Sequence, residues 1–141
     1  MNAVSKESIT ICATRDLVNI CHGDAAWAGW WMDLATGAST VTLIGDEGQR
    51  TDQVNVPEKL MLIVSEIAEA MEGHRKDLMD DKLPHRKMLE VELADALIRI
   101  CDLAGGLKLD LAGAVAEKLA FNRQREDHKI ANRLKADGKK F

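Results

Sequence analysis

The chain has no tyrosine, only two prolines and only three cysteines in 141 residues, and each shortage excludes something. With so few helix breakers among abundant Ala, Leu, Glu and Lys, the composition tilts toward helix. Cys12, Cys21 and Cys101 are odd in number and widely scattered, which argues against a disulfide framework and suits a reducing compartment. They sit among apolar residues and are expected to be small core residues. There is no CxxC pair, and His22, His74, His85 and His128 lack zinc-type spacing, so a zinc site is not expected. No apolar run approaches the roughly 20 residues that span a bilayer. Met1 to Thr10 lacks the basic start and apolar stretch of a signal peptide, so the expected location is cytoplasmic, with no membrane partner. Gly45-x-x-Gly48 lacks the Lys-Ser/Thr ending of a phosphate-binding loop. Internal repeats and low-complexity segments are also missing.

What is present reads as one soluble globular domain: 46% of residues are apolar and 30% charged. The net charge of −4 hides an asymmetry. Residues 123–141 hold seven Lys/Arg against three Asp/Glu, so an acidic body precedes a basic tail. An acidic body does not suit a general nucleic-acid binder. The tail at 128–141 either closes over a phosphorylated small molecule or simply solubilises the chain.

Residues 8–35 have helix-compatible spacing with a break expected near His22-Gly23-Asp24. There Asp24 would cap a short second helix carrying Trp27, Trp30 and Trp31. Residues 36–55 are rich in Gly, Thr and Asp and read as a loop, with room for a short strand at 40–44. Pro57 opens a long helix capped by Asn55 or Val56 and running to about Asp77. After a short polar connection at 78–83, Pro84 is expected to open a third long helix that stops at Gly105-Gly106. A last helix starts at Leu109 or Asp110 and runs to about Asp127. The expectation is an all-α, four-helix-type bundle: N-terminal helices and loop at 1–54, central helices at 55–127. Helices joined by short connections should lie antiparallel.

The informative stretch is Leu60-Met61-Leu62-Ile63-Val64-Ser65-Glu66-Ile67-Ala68-Glu69-Ala70-Met71. It is apolar on nearly every side, yet Glu66 and Glu69 interrupt it at i, i+3, on one helical face. Burying two carboxylates together is costly without a compensating cation. The next helix repeats the arrangement with Glu92 and Asp95 in Glu90-Val91-Glu92-Leu93-Ala94-Asp95-Ala96-Leu97, while Glu90 points away. Across two antiparallel helices the pairs face one another, and four such groups suit a hard cation such as Mg²⁺ or Mn²⁺. The competing reading is a solvated stripe, and Arg99 and Asp102 extend the second pair in that way.

Glu66-x-x-Glu69 followed by Glu92-x-x-Asp95 resembles the MazG-like branch of the all-α nucleoside triphosphate pyrophosphohydrolases. The resemblance extends through Glu58-Lys59-Leu60, Glu72-Gly73 and Lys118-Leu119-Ala120-Phe121-Asn122-Arg123-Gln124-Arg125. It covers about residues 55–130, and Ser65 departs from it, since many members carry a further glutamate there. It implies Mg²⁺-dependent cleavage of a nucleoside triphosphate between the α and β phosphates, giving monophosphate and pyrophosphate. Glu66, Glu69, Glu92 and Asp95 would be the metal ligands, with Glu66 or Glu69 activating water. It also implies homodimers, or tetramers of dimers, completing the bundle. A purine-selective member acting on dGTP, a dUTP or dCTP pyrophosphatase, and a relative of the phosphoribosyl-ATP pyrophosphatases all fit. From another class, a non-catalytic helical interaction module fits too.

Lys118, Asn122 and Arg125 recur at i, i+4 and i+7 on the last helix, a stripe suited to phosphate or merely an exposed polar face. Arg123, His128 and Lys129 are weaker candidates for that role. Trp30 or Trp31 would stack on a nucleobase, unless the tryptophans anchor a core or an interface.

Overall fold

The computed structural model describes residues 5–44, 49–52 and 54–140. Five α-helices dominate it: α1 (Lys6–Trp27), α2 (Val56–Lys76), α3 (Met88–Gly106), α4 (Leu111–Gln124) and α5 (Ile130–Arg133). One antiparallel hairpin, β1 (Val41–Ile44) with β2 (Gln49–Asp52), pairs Val41 with Asp52 and Ile44 with Gln49. The helical class expected from composition holds at this level, and the hairpin occupies part of the segment read as a loop. The chain forms two compact units, one of Met1–Asp16 with Asp110–Phe141 and the other of Leu17–Leu109. Among the described residues, no helix is long and apolar enough to cross a membrane.

In the Leu17–Leu109 unit, α2 starts where its sequence says it must. The Asn55 side chain accepts a hydrogen bond from the Glu58 N–H, and Pro57 lies in the first turn, where a missing N–H costs nothing. The helix ends at Asp77, which adopts a left-handed conformation with φ of 53°. Two expected boundaries move. No break occurs at His22-Gly23-Asp24: α1 runs unbroken to Trp27, so Asp24 caps nothing, and Trp30 and Trp31 lie in the turn beyond. Pro84 does not open α3, which begins at Met88. Residues 80–87 form a turn instead, because the buried Asp80 carboxylate accepts from the N–H groups of Lys82 (3.0 Å) and Leu83 (2.5 Å).

Helices α2 and α3 are antiparallel neighbours: Met88 lies against Gly73 at one end of the pair, and Arg99 reaches back to Glu66 farther along. A β-carbon on Gly73 would stand 2.8 Å from the Met88 side chain, so this glycine sets the approach of the two helices. The inward stripe of α2 is Val56, Lys59, Ile63, Glu66, Ala70 and Gly73, repeating at three and four residues. The apolar core of this unit is Trp31, Leu103 and Leu107, with Ala25, Val54, Val56 and Ile63 packed against it. Gly106 allows that core to close, since a β-carbon there would stand 2.1 Å from the Trp31 ring.

Cys21 and Cys101 are buried and share a hydrogen bond, whereas Cys12 is exposed, contrary to the core role expected of all three. Burial pushes both buried thiols above the ordinary range.

In the other unit, Asp110 caps α4 by accepting from the Gly113 N–H, as the sequence indicates. The helix ends at Gln124, three residues short of the expected Asp127. A 3₁₀ turn (Glu126–His128) and α5 follow, held by ion pairs of Arg125 with Asp127 and Lys129 with Glu126.

A candidate metal centre between two antiparallel helices

Glu66 and Glu92 occupy core positions of their helices and are each only 7% exposed. Glu69, one turn along α2 from Glu66, is exposed but reaches the same place: Glu66, Glu69 and Glu92 offer carboxylate oxygens within 4.8 Å of one another. Asp95 is not one of these three. It is half-buried beside them, close enough for its charge to act on Glu92 and for Glu66 to act on it. Of the four carboxylates singled out by spacing, three converge and the fourth flanks them.

Crowded negative charge leaves a signature. The Glu92 carboxyl is pushed up to about 7, first by burial, then by the hydrogen bond shared with Glu66, then by the charge of Glu69. Asp95 is also raised, chiefly by burial and by Glu66, with Arg99 acting in the opposite sense. The compensating group inside this knot is Arg99, whose Nε donates to Glu66 Oε1 at 2.6 Å. Three hard oxygen donors converging with one guanidinium beside them match the donor chemistry of a divalent cation such as Mg²⁺.

Asp95 and Arg99 also form one wall of a cleft of about 310 Å³, completed by Ala25, Trp30, Lys59, Leu62, Ile98 and Asp102. Trp30 is 74% exposed and lines this cleft, whereas Trp31 is 6% exposed and belongs to the core. The Trp31 indole Nε1 donates to Asp102 Oδ1 at 2.6 Å, and His22 Nδ1 meets the same oxygen at 3.0 Å. Lys59 lies 3.8 Å from Asp102 Oδ2 and 4.2 Å from the Trp31 ring centroid, and the His22 ring meets Trp31 edge-on. Trp31 is therefore engaged in the fold, and of the two candidate stacking tryptophans only Trp30 faces the cleft.

Spacing on α2 and α3 identified the carboxylates but not Arg99, Asp102, Lys59 or Asp80. Arg99 and Asp102 were visible only as an extension of a polar stripe. A signal was there: Arg99 follows Asp95 by four residues and Glu92 by seven, and so shares their face.

Lys118, Asn122 and Arg125 belong to the other unit, the first two on α4 and the third at its C-cap. Lys118 Nζ lies 5.0 Å from the Phe121 ring centroid, and Arg125 pairs with Asp127. Among the described residues, the buried Asn122 side-chain oxygen has no hydrogen-bond partner. Arg123 lines a shallow pocket with Lys6, Glu7 and Thr10, and His128 lines another with Arg133 and Lys139.

Comparison with protein-family models, curated proteins and solved structures finds no match to the chain. The class indicated by its own geometry is a helical protein with a cluster of three carboxylates beside an open cleft.

Proposed function

We propose that the chain is a Mg²⁺-dependent pyrophosphohydrolase of nucleoside triphosphates, producing a nucleoside monophosphate and pyrophosphate. The observation that supports it best is the convergence of Glu66, Glu69 and Glu92 from the facing sides of α2 and α3, with Asp95 bridging that knot to a cleft of nucleoside size. When bound, Mg²⁺ or Mn²⁺ would neutralise phosphate oxygens and stabilise charge on the leaving pyrophosphate.

The residues divide the remaining work. Glu66 and Glu92, buried and fixed, hold the cation, with Asp95 on the cleft side. Glu69 is the exposed member, free to reach a water molecule and take its proton as the water oxygen bonds to the α phosphorus. The bond from that phosphorus to the bridging oxygen then breaks, and pyrophosphate leaves. Trp30 stacks on the base, and Lys59 and Asp102 present a cation and a carboxylate to its polar edge. The sequence resemblance alone implies phosphate contacts for Lys118, Asn122 and Arg125, which belong to the other unit, and the α2–α3 site is proposed without them.

The exposed apolar stripes Leu60, Val64, Ile67 and Met71 on α2 and Leu93, Leu97 and Ile100 on α3 complete the proposal. A helix pair with a second apolar face is half of a four-helix bundle, and a second copy of the chain supplies the other half.

The decisive test is product analysis with each common NTP and dNTP in Mg²⁺, resolving monophosphate, diphosphate, phosphate and pyrophosphate. Monophosphate with pyrophosphate, lost in Glu69→Gln, is expected, and the rate ranking separates a dGTP-selective enzyme from a dUTP or dCTP one. No turnover with Mg²⁺ or Mn²⁺ would leave the carboxylates as a structural seam of a helical interaction module. The Glu66–Arg99 ion pair is the feature that favours that second reading.

A further inference from the structure

Arg99 occupies an unusual position. Its Nε contacts Glu66 within the carboxylate knot, yet its side chain is 44% exposed and lines the cleft next door. Among the described residues, the guanidinium makes no hydrogen bond other than the one through Nε, so the two terminal nitrogens of the fork are uncommitted. Glu66 is 7% exposed, and without Arg99 its charge would be buried beside Glu92 and Glu69 with no counter-charge. A cation bound by the three carboxylates and the guanidinium therefore compete for the same Glu66 oxygen.

We propose that Arg99 is a resident counter-ion of this centre: it holds Glu66 while the metal is absent, yields that oxygen when a divalent cation binds, and turns its fork into the cleft to meet the anionic part of the substrate. The inference rests on the cation-centre reading above. Arginine suits the task because it keeps its charge at every working pH and its planar fork matches a phosphate once released. Two consequences follow from competition. Metal affinity is reduced by the fraction of time that Arg99 occupies the site, and the metal-free fold depends on Arg99 more than the metal-loaded fold does.

The experiment uses the full chain without nucleotide and titrates Mg²⁺ by calorimetry and by melting temperature, in the parent, Arg99→Met and Arg99→Gln. Both variants are expected to bind Mg²⁺ more tightly than the parent, roughly three- to tenfold if Arg99 blocks the site most of the time. They should melt lower than the parent in EDTA and gain more from Mg²⁺. Millimolar guanidinium ion, against a matched sodium chloride control, should weaken Mg²⁺ binding in Arg99→Gln and leave the parent unaffected. Equal or weaker Mg²⁺ binding in both variants, with the parent still binding, overturns the counter-ion role and leaves the metal centre standing. Absence of binding in parent and variants alike overturns the metal centre and this role with it.

Discussion

The most exposed consequence at the scale of single residues concerns Glu92. Its carboxyl titrates near 7 in the folded chain and near 4.5 when unfolded, so between those values the folded state binds more protons. Stability of the metal-free protein is therefore fully supported at the acidic end and lost as pH rises through 7, the opposite of an ion-paired carboxylate. Asp95, raised chiefly by burial and then by the charge of Glu66, adds to the trend in the same direction. The exposed Asp33, Glu72, Asp77, Asp81, Glu126 and Asp127 are held below their ordinary values by hydrogen bonds and cations, so they lie below this window. The melting temperature in EDTA should fall between pH 5 and pH 8, equivalent to about 2 kcal/mol, and Glu92→Gln should flatten most of that slope. An equal slope in parent and Glu92→Gln would show that burial and its acidic neighbours do not hold Glu92 above its ordinary value. Saturating Mg²⁺, which binds the deprotonated cluster, should reverse the trend and stabilise most at the alkaline end.

Among the helices and turns, what the sequence discloses depends on how local the cause is. The start of α2 is legible because Asn55, Pro57 and Glu58 settle it among themselves. The start of α3 is not, since Pro84 reads as a helix opener and only the buried Asp80, four residues earlier, ties 80–87 into a turn. Glu66 and Glu69 are legible as carboxylates out of place in an apolar pattern, and Glu92 because it repeats their spacing with Asp95 on the next helix. Asp102 is not, because its partners His22 and Trp31 lie 80 and 71 residues away. The glycines show the same division. Gly23 reads as a break but lies inside α1 with nothing within 4 Å of a β-carbon, whereas Gly105 and Gly106 read as a stop and also seat His22 and Trp31 against α3. Gly23→Ala should therefore stabilise by about 0.5–1 kcal/mol. Gly106→Ala should cost about 2–3 kcal/mol, because the Trp31 ring it would strike is tied to Asp102 and cannot step aside. Urea unfolding of both variants checks the pair, and a cost at Gly23 or a neutral result at Gly106 would contradict this account of α1 and α3.

For the molecule as a whole, the question is what covers the second apolar face of the α2–α3 pair. Ile67 is 48% exposed and Leu97 47%, each in the middle of a stripe that repeats at three and four residues. Single apolar residues on a surface need no explanation, but two parallel stripes on neighbouring helices do. Their spacing is that of a bundle interior, and a two-fold pair of such surfaces buries each stripe against its own kind. Glu66 and Glu92 face inward between α2 and α3, whereas the stripes face away, so disrupting the stripes should separate assembly from the carboxylate knot. Ile67→Lys and Leu97→Glu, made singly, should each shift the chain from dimer or tetramer toward monomer in light scattering at micromolar concentration. Each charge would otherwise be buried without a partner, at a cost of several kcal/mol per copy. The double variant should not recover association, because a two-fold pairing of like stripes sets ammonium against ammonium and carboxylate against carboxylate. A parent protein that is monomeric at every concentration tested would leave both stripes without a partner and remove the second copy from the proposed bundle.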